Sequence, residues 1–199
     1  MLKILLSALL AAGLVTMARS PAPVPDQPRP NVAMPTLPKL TPFLWFDQDA
    51  EAAIRFYGGI FPDFALLEQS RWGEGAPLPK GTLMTARFRL AGQEFLALNG
   101  GPAFRFNEAI SLFVRCETQA EIDDLWQKLT AGGGAPGQCG WLKDRFGLSW
   151  QVVPTQLAAW LGDPDPAKAA RVGQAMLPMR KLDLAALQRA HAGAPAGGR

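Results

Sequence analysis

The chain has 199 residues, of which 48% are apolar and 19% are charged, and a formal net charge of +3 at pH 7. This composition is that of an ordinary globular protein and excludes an intrinsically disordered chain. The small positive charge contains no basic block, which argues against nucleic acid as a partner. We therefore expect a folded domain that has no nucleic-acid partner.

The first 18 residues have the pattern of a secretory signal peptide. Lys3 supplies the early positive charge, residues 4–15 are almost wholly apolar, and Ala18 is a small residue suited to cleavage. The apolar run of about 12 residues is too short for a spanning helix, which needs about 20. We predict a signal peptide at 1–18, a periplasmic or secreted protein and no stable membrane anchor.

Two further segments are predicted to lie outside the folded domain. Residues 19–38 are dense in proline, which is unsuited to helix or strand interiors, and are predicted to form a semi-extended linker. Residues 192–199 consist mainly of glycine, alanine and proline and are predicted to be a disordered tail. A single folded domain is thus predicted at 39–191.

Apolar periodicity and turn signals predict a strand, a helix and three more strands in the first half of this domain. Asp47 is the predicted N-cap of the helix. In chain order the predicted elements are a strand at 40–46, a helix at 49–61, and strands at 64–72, 83–90 and 93–98. This half has the order βαβββ.

The same order recurs in the second half. The predicted elements are a strand at 109–114, a helix at 117–129, a weak second strand, strands at 140–143 and 148–153, and C-terminal helices at 166–176 and 182–191. Asp165 is a plausible cap for the first C-terminal helix. We predict an α+β fold of paired βαβββ modules with C-terminal helices and a concave site between the halves.

Four segments resemble the PhnB-like family, which carries the label 3-demethylubiquinone 3-methyltransferase. They are residues 40–47 (LTPFLWFD), 97–102 (ALNGGP), 106–111 (FNEAIS) and 139–154 (CGWLKDRFGLSWQVVP). The resemblance covers the whole predicted domain. It implies the vicinal oxygen chelate fold of the glyoxalase and bleomycin-resistance proteins, a pocket inside curved sheets and a homodimer.

The methyltransferase label has no support in the sequence. A donor site for S-adenosylmethionine normally uses a glycine-rich turn from strand to helix in a doubly wound sheet. The glycine-rich stretches of this chain lie in predicted loops without that context. We therefore expect no cofactor of this kind.

The resemblance also locates the positions that hold metal ligands in metal-dependent members of the superfamily. Gln151 takes the place of a ligand Glu, and counting along the motifs gives the other three positions. The four residues are Leu40, Leu96, Ala109 and Gln151. Three of them have no ligating group, and the sole histidine, His191, lies beside the predicted tail. We predict no metal site.

The predicted ligand pocket has aromatic walls and neutral hydrogen-bonding groups. Its predicted lining is Phe43, Trp45, Asn99, Phe104, Phe106, Ser111, Trp141, Trp150 and Gln151. Each aromatic residue has core packing as its plainer interpretation, and Asn99 could simply open a tight turn. Glu108 is the candidate catalytic base, provided that burial raises its pKa; its alternative role is a turn cap.

Cys116 and Cys139 are the only cysteines, and their spacing leaves both a disulfide and two separate thiols open. A catalytic cysteine would lack the histidine that usually activates it.

Three functions are compatible with the sequence. The first is an exported, metal-free binder of a small apolar or aromatic molecule. The alternative is an enzyme of the glyoxalase/dioxygenase superfamily, of lyase or isomerase type, with an atypical site. The third is an interaction protein whose C-terminal helices contact a partner. Whether the chain is an enzyme stays open at this point.

Overall fold

The computed structural model of the chain describes residues 37–194. The predicted signal peptide, the predicted linker up to residue 36 and the tail residues 195–199 lie outside the described residues. The elements in chain order are β1 (Phe43–Phe46), α1 (Ala50–Gly58), β2 (Ala65–Arg71), β3 (Leu83–Leu90), β4 (Gln93–Asn99), β5 (Leu112–Cys116), α2 (Gln119–Thr130), β6 (Ala135–Pro136), β7 (Trp141–Lys143), β8 (Ser149–Pro154), α3 (Leu157–Leu161), α4 (Pro166–Met176) and α5 (Leu184–Ala192).

The strands form two four-stranded sheets with the same topology. The first sheet has the order β1-β4-β3-β2, and the second has the order β5-β8-β7-β6. In each sheet the first strand runs parallel to its neighbour, while the remaining pairs are antiparallel. The predicted α+β fold of paired βαβββ modules with C-terminal helices is confirmed, and the predicted weak second strand of the second module is β6, with two residues.

Each sheet has one face in the core and one face that we call the open face, because successive side chains of a strand point to opposite sides. In β1, Leu44 and Phe46 are buried, whereas Phe43 is on the open face and more than half exposed. In β8, Trp150 and Val152 are buried and Gln151 between them is on the open face. This alternation decides which predicted site residues can meet a ligand.

One hydrophobic core spans both modules. Tyr57 lies in α1 of the first module and Phe61 follows that helix, and both rings lie 5.6 Å from the ring of Trp150 in the second module. Phe61 stacks on that indole with an angle of 19° between the planes. Helix α1 therefore packs against the second module as well as against its own sheet.

A buried carboxylate joins the modules at the same place. Asp144 Oδ2 accepts hydrogen bonds from Tyr57 Oη at 2.8 Å and Trp150 Nε1 at 2.9 Å. Asp144 Oδ1 accepts the backbone N–H groups of Phe146 at 2.9 Å and Leu148 at 3.1 Å. Burial raises the pKa of Asp144, although all four of these bonds favour the charged form.

The start of α1 differs from the prediction. The N-cap residue is Asp49, not Asp47, and the Asp49 side chain makes no capping hydrogen bond. The Ala50 N–H instead donates to Asn99 Oδ1 at 2.9 Å. A side chain from β4 thus caps this helix, which a search for local capping residues does not detect.

The first strand of each module begins three residues later than predicted. Pro42 contributes only its carbonyl, which accepts the Leu96 N–H at 2.9 Å, and ladder pairing begins at Phe43. In the second module, Ala109 belongs to a turn in which its N–H donates to Asn107 Oδ1 at 2.9 Å. The apolar residues before each strand had extended the predicted boundaries.

The C-terminal helices form a second, smaller apolar cluster against the end of β8. Its buried members are Val153, Leu157, Val172, Leu182 and Leu187. The predicted cap of α4 is confirmed, since Asp165 Oδ1 accepts the Ala167 N–H at 2.8 Å. Helix α5 includes Ala192 and ends at Gly193, whose φ of 74° is left-handed. No helix between residues 37 and 194 is both long and apolar enough to cross a bilayer.

Cys116 and Cys139 are free thiols. Cys116 is buried, and burial raises the pKa of its thiol to about 12. Cys139 lies at the C-terminal cluster, with Sγ 3.8 Å from the carbonyl oxygens of Met176 and Leu177. The fold therefore places neither cysteine in a disulfide.

Candidate ligand-binding site

A cavity of about 310 Å³ opens where β1 ends. Three segments surround it: β1 with the loop that follows, the loop after β4, and the turn between β7 and β8. The lining residues are Trp45, Phe46, Asp47, Asp49, Pro102, Phe104, Arg105, Phe106, Phe146 and Gly147. Half of them are aromatic, and both modules contribute; we call this space the aromatic cavity.

The aromatic rings stand nearly perpendicular to one another. The Trp45 and Phe104 ring centroids are 5.0 Å apart with an interplanar angle of 83°. Phe46 makes similar edge contacts with Phe106, at 5.1 Å and 75°, and with Phe146, at 6.4 Å and 84°. These rings therefore pack edge to face and do not stack in parallel planes.

Two glycines hold the position of Trp45. Trp45 Nε1 donates to the Gly101 carbonyl at 2.9 Å. The indole also lies so close to Gly100 that a Cβ atom there would contact the ring within 3 Å. The Asn-Gly-Gly-Pro motif is therefore needed for close packing against the indole as well as for the turn.

Three charged side chains complete the cavity lining. Asp47, Asp49 and Arg105 are all exposed. Within the described part of the chain, none of these three side chains has a hydrogen-bond or ion-pair partner. These groups are free to interact with a ligand.

The structure brings together only some of the predicted lining residues. Trp45, Phe104 and Phe106 line the aromatic cavity. Ser111 and Trp150 border a second cavity of about 310 Å³ beside β5, and Trp141 borders a third of about 270 Å³ beside β7. The other two residues lie on the open faces. Phe43 is exposed and lies beside Leu96, and Gln151 is partly buried, lies beside Phe113 and donates to Ser111 Oγ at 2.8 Å.

Asn99 has a structural role in place of the predicted ligand contact. It is 2% exposed, on the core side of β4. Its Oδ1 accepts the Ala50 N–H, and its Nδ2 donates to the Leu83 carbonyl at 2.9 Å. Trp150 is likewise a core residue, 2% exposed, and its indole N–H donates to Asp144 Oδ2.

The condition set for Glu108 as a general base is not met. Its side chain is 62% exposed and lies 2.5 Å from Lys143 Nζ. This ion pair lowers the pKa of the Glu108 carboxyl. A carboxylate that acts as a general base near neutral pH needs a raised pKa.

The positions that hold metal ligands in related folds do not form a ligand set here. Leu40 and Ala109 lie before their strands, and the strand neighbours of Leu96 and Gln151 are Phe43 and Phe113. No group of three His, Cys, Asp or Glu side chains between residues 37 and 194 could hold a metal ion. The donor chemistry at these positions does not fit a divalent cation.

Sequence reasoning missed Phe46 and Phe146 as cavity residues. Phe46 is 3% exposed and follows the core alternation of β1. Phe146 reaches the cavity across the contact between the modules, in the turn that Asp144 holds. The Asp-x-x-Gly turn signal was visible at 144–147, but local sequence does not show what such a turn packs against.

Two sheets of identical strand order, each with one helix on its core face, define a protein of the vicinal oxygen chelate class. Residues 38–153, more than half of the chain, match the family model described as 3-demethylubiquinone-9 3-methyltransferase. The chain belongs to this family.

The chain is also similar to several solved structures. The PhnB protein of Bacillus cereus has 37% sequence identity and a TM-score of 0.55, over 59% of this chain and 99% of that chain. A glyoxylase/bleomycin resistance protein/dioxygenase domain from Frankia sp. EAN1pec has 18% identity and a TM-score of 0.40, covering 60% and 93% of the two chains. The fosfomycin resistance protein FosX of Listeria monocytogenes has 15% identity and a TM-score of 0.44, covering 59% and 92%. No curated protein sequence matches the chain.

Proposed function

We propose that this protein is an exported, metal-free binder of a small apolar or aromatic molecule, and that the aromatic cavity is its binding site. The observation that carries the proposal is the box of five aromatic rings around a space of about 310 Å³. Small-molecule sites are typically concave, about 300–1,000 Å³ in volume, and lined by aromatic side chains together with a few polar groups that fix the orientation of the ligand. Aromatic walls give a ligand a large apolar contact area.

The chemistry suggested by the family name does not fit this chain. S-adenosylmethionine sites of the usual kind need a glycine-rich turn from strand to helix in a doubly wound parallel sheet. Both sheets here are mixed, with a single parallel pair each. The alternative of a lyase or isomerase draws no support from Glu108, whose pKa is lowered by Lys143. Binding without catalysis is therefore the function that we propose.

Phe104→Ala tests the location of the site. Phe104 is 64% exposed and contacts Trp45 edge-on, so its removal opens one wall without emptying the core. Loss of its contact area should weaken the binding of a neutral aromatic probe, indole, about tenfold. The measurement is an indole titration followed by the NMR shift of the Trp45 indole N–H, identified through Trp45→Phe.

The matched control is Leu177→Ala, which truncates a side chain of similar exposure, 66%, at the C-terminal helices. It should leave indole affinity unchanged. Equal affinities for the Phe104→Ala variant and the parent protein would place the binding site elsewhere and contradict the proposal.

We also propose a homodimer. The open faces carry large apolar side chains with no cover among residues 37–194, including Phe43 at 53% and Phe113 at 55% exposure. Exposed apolar residues on one surface are typical of interaction sites. Phe113→Glu should shift the sedimentation coefficient from dimer to monomer, whereas Leu177→Glu should not. A parent protein that sediments as a monomer at all concentrations would refute the dimer.

Export rests on the amino-acid pattern of residues 1–18, which lie outside the described residues. A charged start, an apolar stretch and a small residue at the cleavage position support it. The mature protein recovered from a Gram-negative host should begin at Arg19 and fractionate with periplasmic markers. Retention of Met1 or Leu2 at the N-terminus would contradict export by this signal.

A further inference from the structure

We infer that the aromatic cavity selects an organic cation, a quaternary ammonium or protonated amine, over a neutral molecule of the same shape. The inference rests on the proposed function, because it names the ligand class of the same site. It is carried by two independent features: the aromatic lining, and two aspartates whose side chains have no partner within residues 37–194.

Half of the residues that line the cavity are aromatic, and aromatic rings attract cations. An aromatic ring is electron-rich on its face and electron-poor at its edge, and a cation within about 6 Å of the face is attracted to it. Trp45 and Phe104 meet at 83°, so the edge of one ring abuts the face of the other and two sides of the box differ in direction. The Trp45 N–H is already bonded to the Gly101 carbonyl, which leaves the indole with no donor for an anionic ligand.

The two carboxylates of the lining have no side-chain partner within residues 37–194. Asp49 occupies the N-cap position of α1, where a carboxylate would normally accept a backbone N–H. The Asp49 side chain makes no such bond, and Asn99 Oδ1 accepts the N–H of Ala50, the first helical residue. Asp47 also lacks a side-chain partner within residues 37–194. Two acidic groups therefore line the cavity without a structural hydrogen bond.

The charge of the lining is negative. Two carboxylates, of Asp47 and Asp49, stand against one guanidinium, that of Arg105, so the sum is −1. The positive end of α1 favours carboxylates at this position even without a ligand. That effect explains their presence on the helix but not the surrounding aromatic walls, which are the groups that recognise quaternary ammonium ions.

The test compares choline with 3,3-dimethylbutan-1-ol, in which a neutral carbon replaces the charged nitrogen. Both are titrated into the full-length protein while the Trp45 indole N–H signal is followed by NMR. Choline should bind about tenfold more tightly, which corresponds to roughly 1.4 kcal/mol. The advantage of choline should shrink as the salt concentration rises.

Four substitutions at exposed positions separate charge from shape. Asp47→Asn and Asp49→Asn should each weaken choline binding severalfold and leave the neutral alcohol unaffected. Arg105→Gln should act in the opposite direction and tighten choline binding. Phe104→Leu keeps an apolar side chain but removes the ring, so it should reduce the preference for choline over the alcohol. Unchanged melting temperatures serve as the check on folding.

Each alternative result has a defined meaning. Equal affinity for choline and the alcohol overturns the cation inference and leaves the proposed aromatic binding site standing. Failure of choline, the alcohol and indole to bind overturns both. A preference for choline that none of the four substitutions changes places the cation site outside the aromatic cavity and also overturns the inference.

Discussion

Asp144→Asn is expected to lower the free energy of unfolding by about 3 kcal/mol at pH 7. Asp144 is 3% exposed and accepts four hydrogen bonds with its two oxygens. An asparagine amide nitrogen in place of Oδ1 would face two backbone N–H donors. In place of Oδ2 it would face the Trp150 N–H, which can only donate. Either orientation leaves at least one buried donor unsatisfied.

The pH dependence of this loss follows from the raised pKa of Asp144. The folded protein holds the proton more firmly than the unfolded chain, in which an aspartate has a pKa of about 3.9. The contribution of this carboxyl to the free energy of unfolding is therefore largest below about pH 4, and it declines as the pH rises through the raised folded-state pKa. The difference in unfolding free energy between the parent and Asp144→Asn should shrink over that range.

Urea unfolding at several pH values measures both effects. The matched control is Asp124→Asn on α2, where a half-exposed carboxylate pairs with Lys128 at 2.7 Å; it should change stability by less than about 0.5 kcal/mol. A change for Asp144→Asn as small as that of the control would show that the buried carboxylate does not hold the two modules together.

Asn99→Ala is expected to destabilise the protein by about 2–4 kcal/mol without altering the affinity for indole. The substitution removes the acceptor of the Ala50 N–H and the donor to the Leu83 carbonyl, and it leaves a small cavity. Both backbone groups are at buried positions, so water does not readily replace the lost bonds. Urea unfolding measures the stability, and the Trp45 N–H titration measures the affinity.

Asn107→Ala is the matched control, because Asn107 is exposed and only accepts the Ala109 N–H. It should cost less than about 1 kcal/mol. If Asn99→Ala abolished indole binding while the protein remained folded, the amide would be a ligand contact, as the sequence predicts, and its structural assignment would be wrong.

Local patterns predicted elements well where the deciding signals are local. The bounds of β3 and α4 match the predicted 83–90 and 166–176, because a glycine turn, an N-cap and a proline mark them in the sequence. The beginning of β1 depends instead on the partner strand. Leu40 and Pro42 extend the apolar run, yet ladder pairing with β4 begins only at Phe43. The apolar periodicity of one strand does not reveal where its pairing with another strand begins.

The candidate site was predicted only in part, because some of its residues are placed by local structure and others by packing between the modules. Trp45, Phe104 and Phe106 converge because one strand and one loop bring them together. Asn99 shares its strand face with Ala97 and Phe95, which are buried, so strand alternation alone could have placed it in the core. Phe146 and the bond from Tyr57 to Asp144 arise from packing between modules, for which a single sequence contains no signal.

The position of Phe146 has a consequence for how binding and folding energies are related. This ring belongs to the second module, and the turn that carries it is held by Asp144, whereas most of the aromatic cavity belongs to the first module. Occupancy of the cavity and docking of the two halves are therefore thermodynamically linked, so each favours the other. A saturating ligand should stabilise the contact between the two modules, and substitutions at the Tyr57–Asp144 contact, which supports the turn of Phe146, should weaken ligand affinity.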